Sequence, residues 1–379
     1  MEGWASRFTH LECSSCGKTY QPRPLNACTC GKPLLARYDL DGLQKSDLLA
    51  RNDLWRYAPL LPVVMEKNVV TLGEGGTPLI TARSLQRILK VKAVHVKDEG
   101  VNPTGTFKAR GMAVAVSKAK ELGLDTLAVA TTGSAGSGLA AYANKAGIRA
   151  FIAFAKGTSP YHVLAARESG AEVELCEGYM SDAAAVVQKL CLEKGYFNIA
   201  TMREPYRVEG KKTITLEVAE GLGELPDVMV FPVGGGTGIV AAWKTWLEVK
   251  ELGWYQNSPR LFFVQAAGCA PVYAAWRKGR SYCETWKDVQ TNAPGLAIPK
   301  PFADELILRS VRETEGGGVT VSDEEMAVAS KELAKHEKIS ACLEGAATWA
   351  GAKKLVEQGL IDSDESVTLI NTGKALGTE

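Results

Sequence analysis

The chain has 379 residues, 46% of them hydrophobic and 23% charged, with 44 Lys and Arg against 43 Asp and Glu. That balance excludes a disordered or fibrous polymer and provides no global field for nucleic acid or an anionic membrane, so any anion must be bound locally. No stretch reaches the roughly 20 apolar residues of a membrane span, and the first residues lack a signal peptide's basic and apolar regions, which predicts a cytoplasmic location.

Chain order begins with cysteines. Of the nine, Cys176, Cys191, Cys269, Cys283 and Cys342 are scattered through segments that read as core. The others form two turns, Cys13-Ser14-Ser15-Cys16-Gly17 and Cys28-Thr29-Cys30-Gly31, similar to the two knuckles of a zinc ribbon. Two Cys-x-x-Cys pairs would be a strong tetrahedral zinc signal. The second pair here is Cys-x-Cys, an awkward spacing for two ligands of one ion, so Cys13, Cys16, Cys28 and Cys30 are a weak candidate zinc site. The alternative is a vestigial ribbon packed through Leu34, Leu35 and Tyr38, and His10 is the nearby substitute ligand.

Beyond residue 93, short β-rich runs alternate with helical stretches. The runs are 94–96, 126–130, 150–154, 172–175, 228–233, 261–264 and 367–370, and the amphipathic stretches include 109–122, 137–146 and 213–222. This alternation predicts an α/β fold with parallel or mostly parallel sheets covered by helices, in which ligands sit at the carboxyl ends of strands. The length is too great for one compact domain and fits two lobes with a small N-terminal Cys-containing, ribbon-like segment. Between about 255 and 325 the alternation weakens, and Gly316-Gly317-Gly318 reads as a loop signal.

Four motifs lie where such strands end. The run Lys97 to Gly111 contains Asn102-Pro103-Thr104-Gly105-Thr106-Phe107-Lys108-Ala109-Arg110-Gly111. A lysine that opens a helix beside backbone N–H groups and Arg110 has a lowered pKa, which suits Schiff-base chemistry, although a first-turn lysine is more often a solvated charge. Thr131-Thr132-Gly133-Ser134 follows a strand and precedes a helix, so its hydroxyls and N–H groups suit a carboxylate or a ring oxygen, and a plain turn accounts for it equally well. Gly234-Gly235-Gly236-Thr237-Gly238 lies between a strand and a helix and lacks both the P-loop ending and the spaced dinucleotide pattern, which points to a single small phosphate group. The fourth motif, Val367 to Gly373, places Thr372 at the end of a strand.

Together these motifs resemble the pyridoxal-phosphate enzymes of the tryptophan synthase β fold, and most closely the threonine synthases. Thr71 to Leu79, Asn102 to Gly111, Glu204-Pro205-Tyr206-Arg207-Val208-Glu209-Gly210-Lys211-Lys212-Thr213 and Leu343 to Ala347 resemble that family's segments in its order, over essentially the whole chain. The resemblance implies a large cofactor-binding lobe of residues 71–116 and 206–379, a small mobile lobe of 117–205, an N-terminal ribbon and arm of 1–70, and a homodimer. It implies Lys108 as Schiff-base lysine and proton shuttle, Gly234, Gly235, Gly236, Thr237 and Gly238 as the phosphate cup, and Thr372 as the partner of the pyridine nitrogen. Thr131, Thr132 and Gly133 would receive the substrate α-carboxylate, Thr77 would also face the substrate, and Arg207 would bind a substrate phosphate. One departure is Ser134, which stands where the family has an asparagine facing the cofactor's 3-oxygen and supplies one donor instead of two. Leu343 and Ala297 also replace the family's usual Pro and Arg.

The implied reaction is γ-elimination and β-replacement on O-phospho-L-homoserine, giving L-threonine and phosphate. Two other readings stay open. One is β-replacement or elimination on another phosphorylated or β-substituted amino acid, as in cysteate synthase or an ammonia-lyase. The other is a non-catalytic relative that retains the fold as a binding or regulatory module.

Overall fold

The structure, a computed structural model, describes residues 4–178 and 180–376. These residues fall into two compact units, 4–75 with 108–213, and 76–107 with 214–376.

The first unit holds two sheets. A small antiparallel one is built from Phe8–Cys13, Thr19–Tyr20 and Leu34–Tyr38, with the first strand central. The other is fully parallel, in the order Glu172–Leu175, Arg149–Phe154, Thr126–Thr131, Phe197–Asn198. Its central strand Thr126–Thr131 is buried at every position, as a parallel strand covered on both faces must be. One apolar cluster joins Leu11 and Leu34 of the small sheet, Leu54 and Trp55, the buried face of the helix Lys108–Glu121, and Leu127 and Ile152 of the parallel sheet.

The second unit carries a six-stranded sheet in the order Gly317–Val321, Arg260–Ala266, Val228–Pro232, Ser366–Asn371, Ala93–Asp98, Leu79–Thr81. All its pairings are parallel except at the short edge strand Leu79–Thr81. Val94, Val230, Val264, Leu369 and the fully buried Trp349 share its core. Among the described residues no helix is long and apolar enough to cross a membrane.

Every β-rich run named above is a strand. The expected loop at Gly316-Gly317-Gly318 is overturned, because Gly317–Val321 forms a strand paired in parallel with Arg260–Ala266. The physical reason is crowding. A Cβ at Gly318 would lie 2.3 Å from the ring of Phe263, and one at Gly316 would lie 1.9 Å from Leu261 O. Glycine here permits close approach of a strand instead of interrupting one.

Candidate active site

In the first unit, Lys108 is the first residue of the helix Lys108–Glu121, and its Nζ donates to Ser134 Oγ at 2.8 Å. Ser134 in turn opens the helix Ser134–Ala146, directly beyond the carboxyl end of the strand Thr126–Thr131. No side chain caps that helix at Gly133, and Thr131 Oγ1 accepts from Gly133 N at 3.1 Å. A helix start without a side-chain acceptor keeps its positive dipole end available to an anion. Thr131 is buried, Thr132 and Ser134 half-buried, and one turn into the helix Ser137 Oγ lies 3.0 Å from His162 Nδ1.

Arg207 opens the helix Arg207–Leu222 and is 1% exposed. Its Nη1 donates to Ile199 O at 2.8 Å, whereas Nε and Nη2 are buried without a hydrogen-bond partner among the described residues. Glu204 sits beneath it with its carboxylate turned to backbone, accepting from Arg207 N at 3.0 Å and Tyr206 N at 2.8 Å. Burial pushes Glu204 up to about 7 even though Arg207 opposes the shift. Lys211 follows one helical turn after Arg207, so the two share a face. Burial, then the positive charges of Arg207 and Lys108, hold the Lys211 ammonium well below the usual lysine range.

The helices that start at Lys108 and Arg207 touch backbone to backbone within their first turns. A Cβ at Gly210 would lie 2.1 Å from Arg110 O, and one at Gly111 would lie 2.9 Å from Arg207 O. Arg110 Nη1 also donates to Thr213 Oγ1 at 2.8 Å. Two glycines and one hydrogen bond thus fix where Lys108 and Arg207 start their helices.

In the second unit, Gly234-Gly235-Gly236 joins the strand Val228–Pro232 to the helix Thr237–Glu251. Gly236 is the N-cap at φ 78°, with no side-chain cap. A Cβ at Gly234 would lie 2.0 Å from Gly295 O, so backbone occupies the space side chains would need. The turn therefore presents N–H groups and the end of a 15-residue helix dipole. Thr372, just past the strand Ser366–Asn371, is buried, and its Oγ1 lies 3.8 Å from Cys342 Sγ. Its carbonyl accepts from Phe107 N at 2.9 Å, which ties it to the residue before Lys108. Thr77 is buried, and its hydroxyl donates to Glu99 Oε1 at 2.6 Å.

The expected residues are thus distributed. Lys108, Thr131, Thr132, Gly133, Ser134 and Arg207 belong to the first unit, and Thr77, Gly234 to Gly238 and Thr372 to the second. Sequence reasoning passed over Glu204, Lys211, His162 and Cys342. Glu204 and Lys211 lie inside the quoted block, and a charged residue in a segment that folds as a buried helix start was the available signal. Nothing in the local sequence marks His162 or Cys342. The four N-terminal thiols come together, with all four Sγ atoms within 4.8 Å of one another, so the Cys-x-Cys spacing is no obstacle. His10 is not among them, and its Nδ1 lies 2.8 Å from Thr9 Oγ1.

Residues 70–373 match the family described as pyridoxal-phosphate dependent enzyme. The chain is 36% identical over 372 residues to a threonine synthase of Methanocaldococcus jannaschii, covering 96% of this chain and 92% of the relative. It is 37% identical over 374 residues to a threonine synthase of Methanosarcina acetivorans, covering 97% and 92%. In fold it is similar to maize serine racemase, with a TM-score of 0.71 at 19% identity over 80% of this chain and 89% of that one. It is also similar to a threonine deaminase from Solanum lycopersicum, with a TM-score of 0.69 at 22% identity over 86% and 90%. The chain belongs to the pyridoxal-phosphate-dependent enzymes of the tryptophan synthase β fold and, within them, to the threonine synthase family of lyases.

Proposed function

We propose that this lyase converts O-phospho-L-homoserine and water to L-threonine and phosphate. The observation that carries the reading is Arg207, whose Nε and Nη2 are buried with no partner among the described residues. A guanidinium is always charged, and leaving its donors unmet out of water costs several kcal/mol unless an anion meets them. A phosphate matches that fork of donors. The names of the two relatives above agree with this reading.

Pyridoxal phosphate, when bound, supplies the electron sink that makes hydrogens near the substrate's α-carbon acidic. The Gly234 to Gly238 turn with Thr237 suits its phosphate, and Thr372 suits its pyridine nitrogen with a neutral hydroxyl. Lys108 is the amine for its aldehyde carbon. Ser134, in place of an amide, holds Lys108 Nζ at 2.8 Å and keeps it in one orientation. Thr131, Thr132 and the N–H groups from Gly133 onward receive the α-carboxylate at an uncapped helix start. Lys108 Nζ takes the α-proton. Acting as the proton shuttle, Lys108 Nζ passes that proton on and takes a β-proton, and the phosphate leaves Cγ held by Arg207. Water adds its hydroxyl at Cβ, and protons return to Cα and Cγ, which balances the reaction.

A second reading keeps the cofactor and changes the leaving group, with a different β-substituted or phosphorylated amino acid as substrate, and Ser134 is the residue that supports it. The test is to supply the purified enzyme with O-phospho-L-homoserine, O-phospho-L-serine and L-threonine separately, following free phosphate, threonine and keto acid. Phosphate and threonine formed in equal amounts from the first substrate are expected. Turnover of either other substrate without turnover of the first sinks the proposal.

A further inference from the structure

We propose that Cys13, Cys16, Cys28 and Cys30 bind one zinc ion as a closed tetrathiolate, and that this ion steadies the ribbon against the start of the Arg207 helix. The geometry is that of a coordination shell lacking only its centre. Zinc–sulfur bonds of about 2.3 Å place sulfurs at the corners of a tetrahedron with edges of about 3.8 Å. Here Cys13 Sγ lies 3.5 Å from Cys30 Sγ, Cys16 Sγ lies 3.6 Å from Cys28 Sγ, and every pair is within 4.8 Å. A disulfide would bring one pair to about 2.05 Å; the four are instead spread around a common point and none is disulfide-bonded.

Both turns are shaped for the purpose. Cys13 N donates to Lys18 O at 2.9 Å and Cys28 N to Lys32 O at 3.0 Å, which closes each knuckle around a glycine of positive φ, Gly17 and Gly31. In the first knuckle Ser15 N and Cys16 N both point at Cys13 Sγ at 3.4 Å, as donors to a thiolate do. In the second, Tyr20 OH accepts from Thr29 N at 3.1 Å and lies 3.2 Å from both Cys28 Sγ and Thr29 Oγ1, within reach of the sulfur as a donor. A tetrahedral all-sulfur set selects zinc or an iron–sulfur centre over oxygen-seeking cations. The shell is sized for a single ion. Binding releases the thiol protons to solvent and leaves a dianionic site, with Lys18 and Arg23 stacked over the Tyr20 ring at 5.4 and 5.7 Å.

The small sheet has strands of only 6, 2 and 5 residues, too little to fix its own tip without a staple. Its far side grips the Arg207 helix. Tyr38 OH donates to Glu209 Oε2 at 2.7 Å, and the fully buried Lys212 pairs with Glu209 at 2.8 Å and lies 4.2 Å from the Tyr38 ring centroid. Phe8 meets Tyr206 edge-on at 6.4 Å. Residues 206, 209 and 212 therefore hold Arg207 from both sides, and all three are held by the ribbon or its partners.

The test is elemental analysis of the full-length holoenzyme, with X-ray absorption at the zinc edge. Near-stoichiometric zinc in a four-sulfur shell, lost in a Cys16→Ser, Cys30→Ser double variant at the two exposed ligands, is expected. A protein free of zinc with all four thiols reactive, one with disulfides, or one carrying iron in their place overturns the proposal. For the second clause, which rests on the phosphate role of Arg207, the metal-free double variant is expected to show a KM for O-phospho-L-homoserine raised about tenfold with its cofactor absorbance intact. Zinc loss with an unchanged KM overturns that clause alone, and zinc content is read whether or not the enzyme proves to use that substrate.

Discussion

At the scale of single residues, the proposed phosphate role of Arg207 can be tested through its buried neighbour Glu204. With its pKa raised from the ordinary 4.5 to about 7 by burial, the Glu204 carboxyl is neutral in the folded chain at pH values where the unfolded chain has lost that proton. The folded state then binds more protons than the unfolded one, so this group's contribution to stability falls as pH rises from about 4.5 to about 7. Above that range an ionised Glu204 offsets part of Arg207's charge. The KM for a phosphorylated substrate should therefore rise between roughly pH 6 and 8, and Glu204→Gln should flatten that limb. A wild-type KM that is level over the range, measured by steady-state kinetics, contradicts the assignment. Lys108 and Arg207 could be singled out as candidates because their motifs are contiguous. Glu204 and Lys211 were not, since what alters them is burial, and burial is a property of packed helices rather than of a seven-residue window.

At the scale of elements, the contact of the Lys108 and Arg207 helices depends on Gly111 and Gly210. An added Cβ at Gly210 meets a backbone oxygen at 2.1 Å, which cannot rotate away. Gly210→Ala should therefore force the helices apart, costing about 1 to 3 kcal/mol in denaturant-measured stability. It should also lower turnover more than that loss explains, because Lys108 and Arg207 shift together. An Ala variant with wild-type stability and turnover would show that the helices do not need this approach. The same close packing explains the missed strand at Gly317–Val321, since glycine runs mark both turns and tight contacts, and only the partner, here Phe263, tells them apart. Central parallel strands such as Thr126–Thr131 and Val228–Pro232 were legible because their residues form largely apolar runs bounded by turns, whereas the edge strand Glu172–Leu175 alternates Glu with Val and Leu. The small N-terminal sheet was anticipated from its cysteines and Leu34 to Tyr38, whereas its two-residue strand Thr19–Tyr20 has no period to read.

For the whole molecule, the alternation of strands and helices was enough to fix an α/β fold with two sheet-bearing units, and the order of motifs was enough to fix the family. Local spacing misjudged the second cysteine turn, because whether two sulfurs reach one point depends on the turn's three-dimensional path and not on the number of residues between them. The substrate is the least legible feature, since neither fold nor cofactor selects it, and in the reading proposed above that choice falls to Arg207. The most direct measurement is kcat/KM for O-phospho-L-homoserine in Arg207→Gln, with the cofactor's visible absorbance as the check on folding. Loss of two charge-assisted hydrogen bonds predicts a fall of about 10²- to 10⁴-fold with the absorbance retained. A variant that keeps both its absorbance and its wild-type kcat/KM would contradict the account.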